Sequence, residues 1–407
     1  MSIINKCRLC KSKIKNIVDI GNMALSGVFP KLKNELIKEL PLILCKCDNC
    51  HLVQLRHDFD LNELYGNTYG YCSSLNNSMV NHLKSINRYL ESKINLKEGD
   101  VIIDIGANDG TLLNNYQNRE CEFYGIDPCS YKFKENYKKD IMRINNFFSE
   151  KEFRELCKKN VKVISTISMF YDLPDPLKFS KEICNIMDDD GIWFMEHSYL
   201  PTMIKRNSFD TICHEHVEYY SLQPILYIIK KCDLKIIDIN FNLINGGSFN
   251  LLLCKKDNLE YEESNKISKI MREEENFFTK TIFNEFNNNI NESTNKILEL
   301  LKELKKNNKE IHGYGASTKG NILLQYCNID EKYLTYIAEV NPYKYGRFTP
   351  GTKIPIISEE ESKKMKPDYY FVLPWHYKDN ILKREKEFLN NGGKIIFPLP
   401  KLEIIEK

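Results

Sequence analysis

The chain has 407 residues, with 58 Lys+Arg against 56 Asp+Glu, a formal net charge of +2 and 42% apolar residues. At roughly 100–200 residues per domain, this length implies two to four domains with real cores, and the near-neutral balance excludes the basic field of non-specific nucleic-acid binding. The sequence has neither a long apolar run nor the apolar stretch of a signal peptide, so the expectation is a cytoplasmic protein with a small-molecule partner, no nucleic acid and no membrane.

Fourteen cysteines stand out in the composition. In a long chain without an export signal, thiols stay reduced, so each is read by its spacing. Cys7/Cys10 and Cys47/Cys50 form two Cys-x-x-Cys knuckles. Two knuckles give a closed four-sulfur site for Zn²⁺ with no open position for water, which makes the metal structural. Cys45 competes as a ligand, and Cys47 is preferred because its spacing to Cys50 repeats the first pair. Between the knuckles, Ile17 to Gly21 and Leu42 to Leu44 read as short strands.

A segment dense in tyrosine and small polar residues follows, with Tyr65, Tyr69, Tyr71, Ser73 and Ser74, then a helix from Ser78 carrying Met79, Leu83, Ile86 and Leu90 at helical spacing. Rings and hydroxyls on such a loop suit a polyhydroxylated ligand, or they pack on a neighbouring domain.

Val101 to Ile105, including Asp104, reads as a buried strand that runs into Gly106-Ala107-Asn108-Asp109-Gly110-Thr111 and then a helix. Strand, glycine turn and helix is the first crossover of a doubly wound sheet, with open backbone N–H groups for a ligand. The turn lacks Gly-x-Gly-x-x-Gly, and Asp109 would repel a pyrophosphate but accept a sulfonium. The next strand, Glu122 to Ile126, ends at Asp127-Pro128, an acid placed to accept ribose hydroxyls. Together these favour S-adenosylmethionine. Further strands at Val161 to Ile167 and Gly191 to Glu196 place Ser168 to Tyr171 and Glu196 to Tyr199 at the carboxyl edge, where ligands lie, although Met169 and Phe170 suit plain core equally.

Downstream, Phe209-Asp210-Thr211-Ile212-Cys213-His214-Glu215-His216 sets two imidazoles around a carboxylate. Neighbours at this spacing diverge on a helix and the run lacks His-Glu-x-x-His, so acid–base chemistry is favoured over metal binding. Residues 256–310 are polar and helical, interrupted by an Asn-rich stretch. Gly313-Tyr314-Gly315-Ala316-Ser317-Thr318-Lys319-Gly320 then opens a second α/β unit whose turn suits an anion, followed by Glu339, Asn341 and Arg347.

The paired knuckles, the Tyr/Ser-rich segment, the Ile-Gly-Ala-Asn-Asp-Gly-Thr run, the His-Glu-His stretch, Asn245-Gly246-Gly247-Ser248-Phe249 and the C-terminal glycine turn together resemble the nucleotide-sugar C-methyltransferase family over nearly the whole chain. The resemblance implies a zinc-binding region (1–75), a class I, Rossmann-like S-adenosylmethionine domain (76–255), a helical linker (256–305) and a C-terminal α/β Rossmann-like nucleotide-sugar domain (306–407), and a closed zinc region with an intact interdomain pocket allows a monomer. Carried over by motif, the catalytic base falls on His216, its acidic neighbour on Glu215 and a supporting tyrosine on Tyr71, with His214 as a further donor. The implied cofactor residues are Asp104, Gly106, Asn108, Asp109, Gly110, Asp127, Pro128, Ser168 and Met169. The implied sugar-nucleotide residues are Tyr69, Ser74, Tyr171, Gly315, Ser317, Thr318, Lys319, Glu339, Asn341 and Arg347. Cys213 departs from the family, where tyrosine is common. Two other functions fit parts of the pattern: an NAD-dependent sugar oxidoreductase or epimerase, and a non-catalytic zinc-organised scaffold.

Overall fold

The computed structural model describes residues 2–60, 64 and 71–407. Tyr65 and Tyr69 therefore lie outside the described residues. Three large sheets organise the described residues, beside a two-stranded pair of Ser2–Ile3 with His57–Asp58. The N-terminal sheet is antiparallel, in the order Glu218–Tyr219, Val53–Leu55, Glu39–Cys47, Ile14–Ala24. Its outermost strand comes from far downstream, immediately after the His-Glu-His stretch. The four knuckle cysteines converge with their sulfurs within 4.8 Å of one another, the donor set and closeness that tetrahedral Zn²⁺ requires. Cys45 points elsewhere and donates to Asn16 Oδ1 at 3.2 Å, which removes it from the ligand set.

The central sheet has seven strands: first Val101–Ile105, second Glu122–Ile126, third Ile141–Ile144, fourth Val161–Ile167, fifth Met187–Ser198, sixth Leu234–Asn242 and seventh Ser248–Lys255. They lie side by side in the order six, seven, five, four, one, two, three. The seventh is antiparallel to both neighbours and the strands from five to three run parallel. The apolar runs of the first and fourth strands are buried on both faces, as a parallel sheet covered by helices demands. The order in which strands are added reverses between the parallel first and fourth strands, so the crevice at their carboxyl ends is where a doubly wound sheet takes its ligand. The Asn77–Lys93 helix buries Met79, Leu83, Ile86 and Leu90 against one face of this sheet. Glu196, expected at the pocket, is instead fully buried on the fifth strand, where it accepts from His82 Nε2 at 2.6 Å and Asn242 Nδ2 at 2.7 Å and so pins that helix to the sheet.

The C-terminal sheet has six strands in the order Ile356–Ser358, Ile337–Glu339, Ile311–Tyr314, Tyr369–Val372, Lys394–Phe397, Glu403–Ile405, parallel except for the last. The Asn-rich stretch expected to interrupt the preceding helical region does not break it: Ile282–Lys306 is one helix, burying Phe283, Phe286, Ile290, Ile297, Leu301 and Leu304 along one stripe. That apolar stripe overrides the weak helix propensity of asparagine. No helix among the described residues is long and apolar enough to cross a membrane.

The three sheets interlock. Gln325 bonds both backbone groups of Ala24, at 2.7 and 3.2 Å, and Asn321 Nδ2 donates to the Ser26 carbonyl at 2.7 Å, tying the C-terminal unit to the N-terminal loop. Cys10→Ser or Cys47→Ser is expected to lower metal content from about one zinc per chain to near zero, whereas Cys45→Ser leaves it unchanged. Elemental analysis of the purified variants checks this.

Candidate active site

The glycine turn after the first central strand is fixed by close approaches that admit no side chain. Gly106 and Gly110 sit at φ +79° and +75°. A Cβ on Gly106 would come 2.9 Å from Met169, and one on Gly110 would come 2.8 Å from the Tyr137 ring. Asn108, also left-handed at φ +50°, donates its backbone N–H to Asp127 Oδ2 at 2.8 Å, so the acid ending the second strand locks the turn. Asp104 reaches the fourth strand, accepting from Ser165 Oγ at 2.6 Å, and burial pushes its carboxyl up to about 7.

The Tyr/Ser-rich segment closes on the same turn. Ser73 N–H donates to Asn108 Oδ1 at 3.0 Å, Asn108 Nδ2 donates to the Tyr71 carbonyl at 3.2 Å, and Ser74 N–H donates to Asp109 Oδ2 at 2.8 Å. Burial works against the Asp109 charge, but bonds from Thr111 and Ser74 outweigh it and hold this carboxyl below its usual range. The acid expected to favour a sulfonium is thus a charged group that also anchors the loop. Tyr71 remains 42% exposed.

The His-Glu-His stretch adopts a bend in which successive side chains leave in different directions. His214 turns to the N-terminal sheet, its Nε2 3.1 Å from the Leu40 carbonyl and its ring edge-on to Phe59. Glu215 accepts from Ser26 Oγ at 3.4 Å and lies against Gly27. It does not orient His216, as a carboxylate partner would; that task falls to the Thr211 carbonyl, 3.0 Å from His216 Nδ1. A carbonyl only accepts, so Nδ1 carries the proton and Nε2 keeps its lone pair. Nε2 has no partner among the described residues, and the ring packs edge-on to Tyr171 with centroids 4.3 Å apart. Burial first, then the Lys319 ammonium, push this imidazole down to about 3, so it is neutral across the cellular range.

The C-terminal turn repeats the layout of the first. Glu339 Oε2 accepts from the Ala316 N–H at 2.8 Å, as Asp127 does from Asn108, and Gly315 sits at φ +82° with no room for a Cβ beside Pro374. Ser317 Oγ caps the Thr318–Tyr326 helix by accepting from Gly320 N–H at 3.0 Å. Lys319 leaves the turn altogether: its Nζ donates to the Asn245 carbonyl at 2.7 Å in the central unit. Arg347 donates to the carbonyls of Phe29 and Tyr343, at 3.0 and 2.8 Å, and serves as an interdomain tie. The Asn341 side chain accepts from Tyr343 N–H at 3.0 Å.

Against this geometry, a family model described as a methyltransferase domain matches residues 81–239, one for a C-methyltransferase C-terminal domain matches residues 243–400, and one for a zinc binding domain matches residues 7–65. C-methyltransferase NovU of Streptomyces niveus is 27% identical over 409 residues, covering 99% of this chain and 97% of that protein. The chain is an S-adenosylmethionine-dependent C-methyltransferase with an N-terminal zinc-binding domain. Among solved structures, magnesium protoporphyrin IX methyltransferase from Synechocystis PCC 6803 is 11% identical, with a TM-score of 0.33 over 43% of this chain and 79% of that one. An O-methyltransferase family 2 protein from Planctomyces limnophilus DSM 3776 is 13% identical, with a TM-score of 0.32 over 42% of this chain and 61% of that one.

In this C-methyltransferase, sequence reasoning passed over Asp210 and Trp375 as site residues. Trp375 Nε1 donates to Asp210 Oδ2 at 2.8 Å, which fixes the Phe209–Thr211 turn whose last carbonyl orients His216. The signal in the sequence was a tryptophan at a strand end, a costly residue to place there without a partner for its N–H. Asn245 was noted only as part of a motif. Its Nδ2 donates to Ser168 Oγ at 3.0 Å, joining two left-handed residues at φ +54° each.

Two predictions follow from this packing. Gly110→Ala combines a strained φ with a clash against Tyr137, and is expected to cost about 1–3 kcal/mol and to weaken S-adenosylhomocysteine binding at least tenfold; denaturant melts and calorimetric titration measure both. Burial also pushes His197 and His214 down to about 4 each. With His216, these rings stay neutral in the folded chain while unfolded imidazoles take protons near pH 6.5, so the unfolded state binds more protons below that pH. Stability is therefore full above about pH 6.5 and falls toward pH 4, by up to about 1.4 kcal/mol per unit for each ring. Urea melts across that range test it, and His197→Phe should flatten the slope.

Proposed function

We propose that the enzyme methylates a ring carbon of a nucleotide-activated keto-deoxysugar in the cytoplasm, for the synthesis of deoxysugar-bearing products. The observation that carries this reading is the geometry of His216: its proton is fixed on Nδ1 by the Thr211 carbonyl at 3.0 Å, which leaves the Nε2 lone pair free. A sugar carbon becomes nucleophilic only where an adjacent ketone acidifies its C–H bond, and that requires a positioned base. The turn residues Gly106, Asn108, Gly110 and Met169, with Asp127 and Pro128 toward the ribose, would hold S-adenosylmethionine, which supplies an electrophilic methyl group on sulfonium. The regions 1–75, 76–255, 256–305 and 306–407 then divide the work into zinc, cofactor, linker and sugar-nucleotide parts.

On this reading His216 Nε2 takes the α-proton, the C–H electron pair passes into the enolate and the carbonyl oxygen gains negative charge. The enolate carbon would then take the methyl group that bound S-adenosylmethionine supplies, the sulfur–methyl bond breaking to leave S-adenosylhomocysteine as the ketone is restored, and the imidazolium returns its proton to solvent. On this reading Tyr71 and Ser74, held on the cofactor turn, and Tyr171, packed on His216, would contact the sugar. The zinc site, closed by four sulfurs, has no part in the chemistry.

His216→Asn is expected to lower kcat by at least about 10² while leaving S-adenosylhomocysteine affinity unchanged. The assay is mass spectrometry of products from a panel of 4-keto-sugar nucleotides, where a gain of one methyl identifies the substrate. Full activity in His216→Asn would refute the base assignment, and a wild type inert on the whole panel would refute the substrate class.

A further inference from the structure

We infer that Lys319, delivered across the interface from the C-terminal unit, is a catalytic residue: its ammonium stabilises the enolate oxygen that forms when His216 removes the α-proton. The inference rests on the keto-sugar reading above and names a group for which that reading has no assignment. Lys319 lies in the first turn of the Thr318–Tyr326 helix. The Ser317 hydroxyl holds that helix end, and at the other end the tilted rings of Phe209 and Tyr326, 5.1 Å apart, seat the helix on the Phe209–Thr211 turn. The helix start is also adjacent to Glu215: a Cβ on Gly27 would lie 2.6 Å from Glu215 Oε1 and 4.0 Å from Thr318 Oγ1. Lys319 thus arrives beside the bend that presents His216.

Its ammonium bonds the Asn245 carbonyl at 2.7 Å, and the Asn245 side chain bonds Ser168, the residue before the methionine that packs on Gly106. The charge therefore sits where cofactor turn, base and C-terminal unit meet. An ammonium has three N–H donors. One is used, and the other two have no hydrogen-bond or ion-pair partner among the described residues. Asp210 gives Oδ2 to the Trp375 indole, keeps Oδ1 without a hydrogen-bond partner and forms no ion pair with Lys319 within 4.0 Å, but its nearby charge sustains the ammonium against the burial that works to neutralise it. The influence of this charge on His216 agrees with their proximity.

Of the two donors expected from the sequence, Tyr71 and His214, the second is excluded by its own hydrogen bond. With the Leu40 carbonyl on Nε2, the proton sits on that nitrogen and Nδ1 offers only a lone pair, in a ring turned to the N-terminal sheet. A fixed cation aimed at a developing oxyanion in a water-poor site typically contributes more than any other single group.

The test uses the full-length enzyme and a 4-keto-sugar nucleotide that the wild type methylates. Methyl transfer is measured with S-adenosylmethionine, and α-hydrogen exchange in D₂O with S-adenosylhomocysteine. Lys319→Met and Lys319→Gln should lower kcat and the exchange rate together by about 10²–10³, with S-adenosylhomocysteine affinity within about threefold of wild type, while Lys319→Arg retains more activity than either. Gln keeps an N–H for the Asn245 carbonyl, so a loss shared by Gln and Met isolates the charge from the tether, and melting temperatures confirm that both fold. Exchange and transfer within about fivefold of wild type in folded Lys319→Gln would overturn the inference and leave the keto-sugar reading standing. Weakened cofactor binding with normal exchange would overturn it in favour of a tether. A wild type that neither exchanges nor methylates any substrate would remove the keto-sugar reading and this inference with it.

Discussion

The arrangement of the molecule depends on one short run of backbone pairing. Glu218 and Tyr219 add a strand to Val53–Leu55 of the zinc-bearing sheet, and the Leu55 N–H donates to the Val217 carbonyl at 2.8 Å. On the other side, Leu200 N–H donates to the Tyr220 carbonyl at 2.8 Å, joining the same segment to the end of the fifth central strand. From the third side, Trp375 and Tyr326 of the C-terminal unit grip Asp210 and Phe209. A bend with no regular structure of its own cannot hold an imidazole to a fraction of an ångström, because its backbone freedom costs about 1–2 kcal/mol per residue to remove. Here three units share that cost, and His216 sits where their holds overlap.

The two α/β units use one device for different ends. In each, the acid that ends the second strand accepts a backbone N–H from the preceding glycine turn: Asp127 from Asn108, and Glu339 from Ala316. In the central unit the carboxylate is mostly desolvated, and burial pushes it up while the bonds from Cys129 and Asn108 pull it back. In the C-terminal unit Lys344 lies 3.8 Å from the acid and donates to the Ala316 carbonyl, so a side-chain cation closes over that turn. The first turn keeps its negative character beside Asp109; the second is neutralised in place.

The parts of this fold legible in the sequence are those whose signal is local. Paired cysteines at equal spacing, apolar strand runs and glycines before helices each encode their own geometry, and Val101–Ile105, Glu122–Ile126 and Asn77–Lys93 lie where those patterns put them. Cys45 was ambiguous because spacing cannot see Asn16, which faces it across the sheet. The site was legible as a set of residue types and not as directions. Nothing near Lys319 reveals that it leaves its own turn for Asn245, nor does the neighbourhood of Glu215 reveal Ser26, because those partners come from other units of the chain. Arg347 looked like an anion ligand for the same reason: a guanidinium in a Gly/Pro turn suits a phosphate as well as it suits the Phe29 carbonyl.

The late pairing of Glu218–Tyr219 also dictates an order of assembly. During synthesis the zinc-bearing sheet emerges early, with the Val53–Leu55 edge open, and its closing strand leaves the ribosome only after most of the central sheet has been made. Until then the nascent chain presents unpaired N–H and C=O groups to any passing strand, a recognised route to misassembly. Early capture of a metal ion by the knuckles would stiffen that sheet and keep its edge in register while it waits. The zinc site would then act as a guardian of biogenesis as well as a support for the finished enzyme, and metal starvation would be felt first as poor yield from the ribosome rather than as slow turnover.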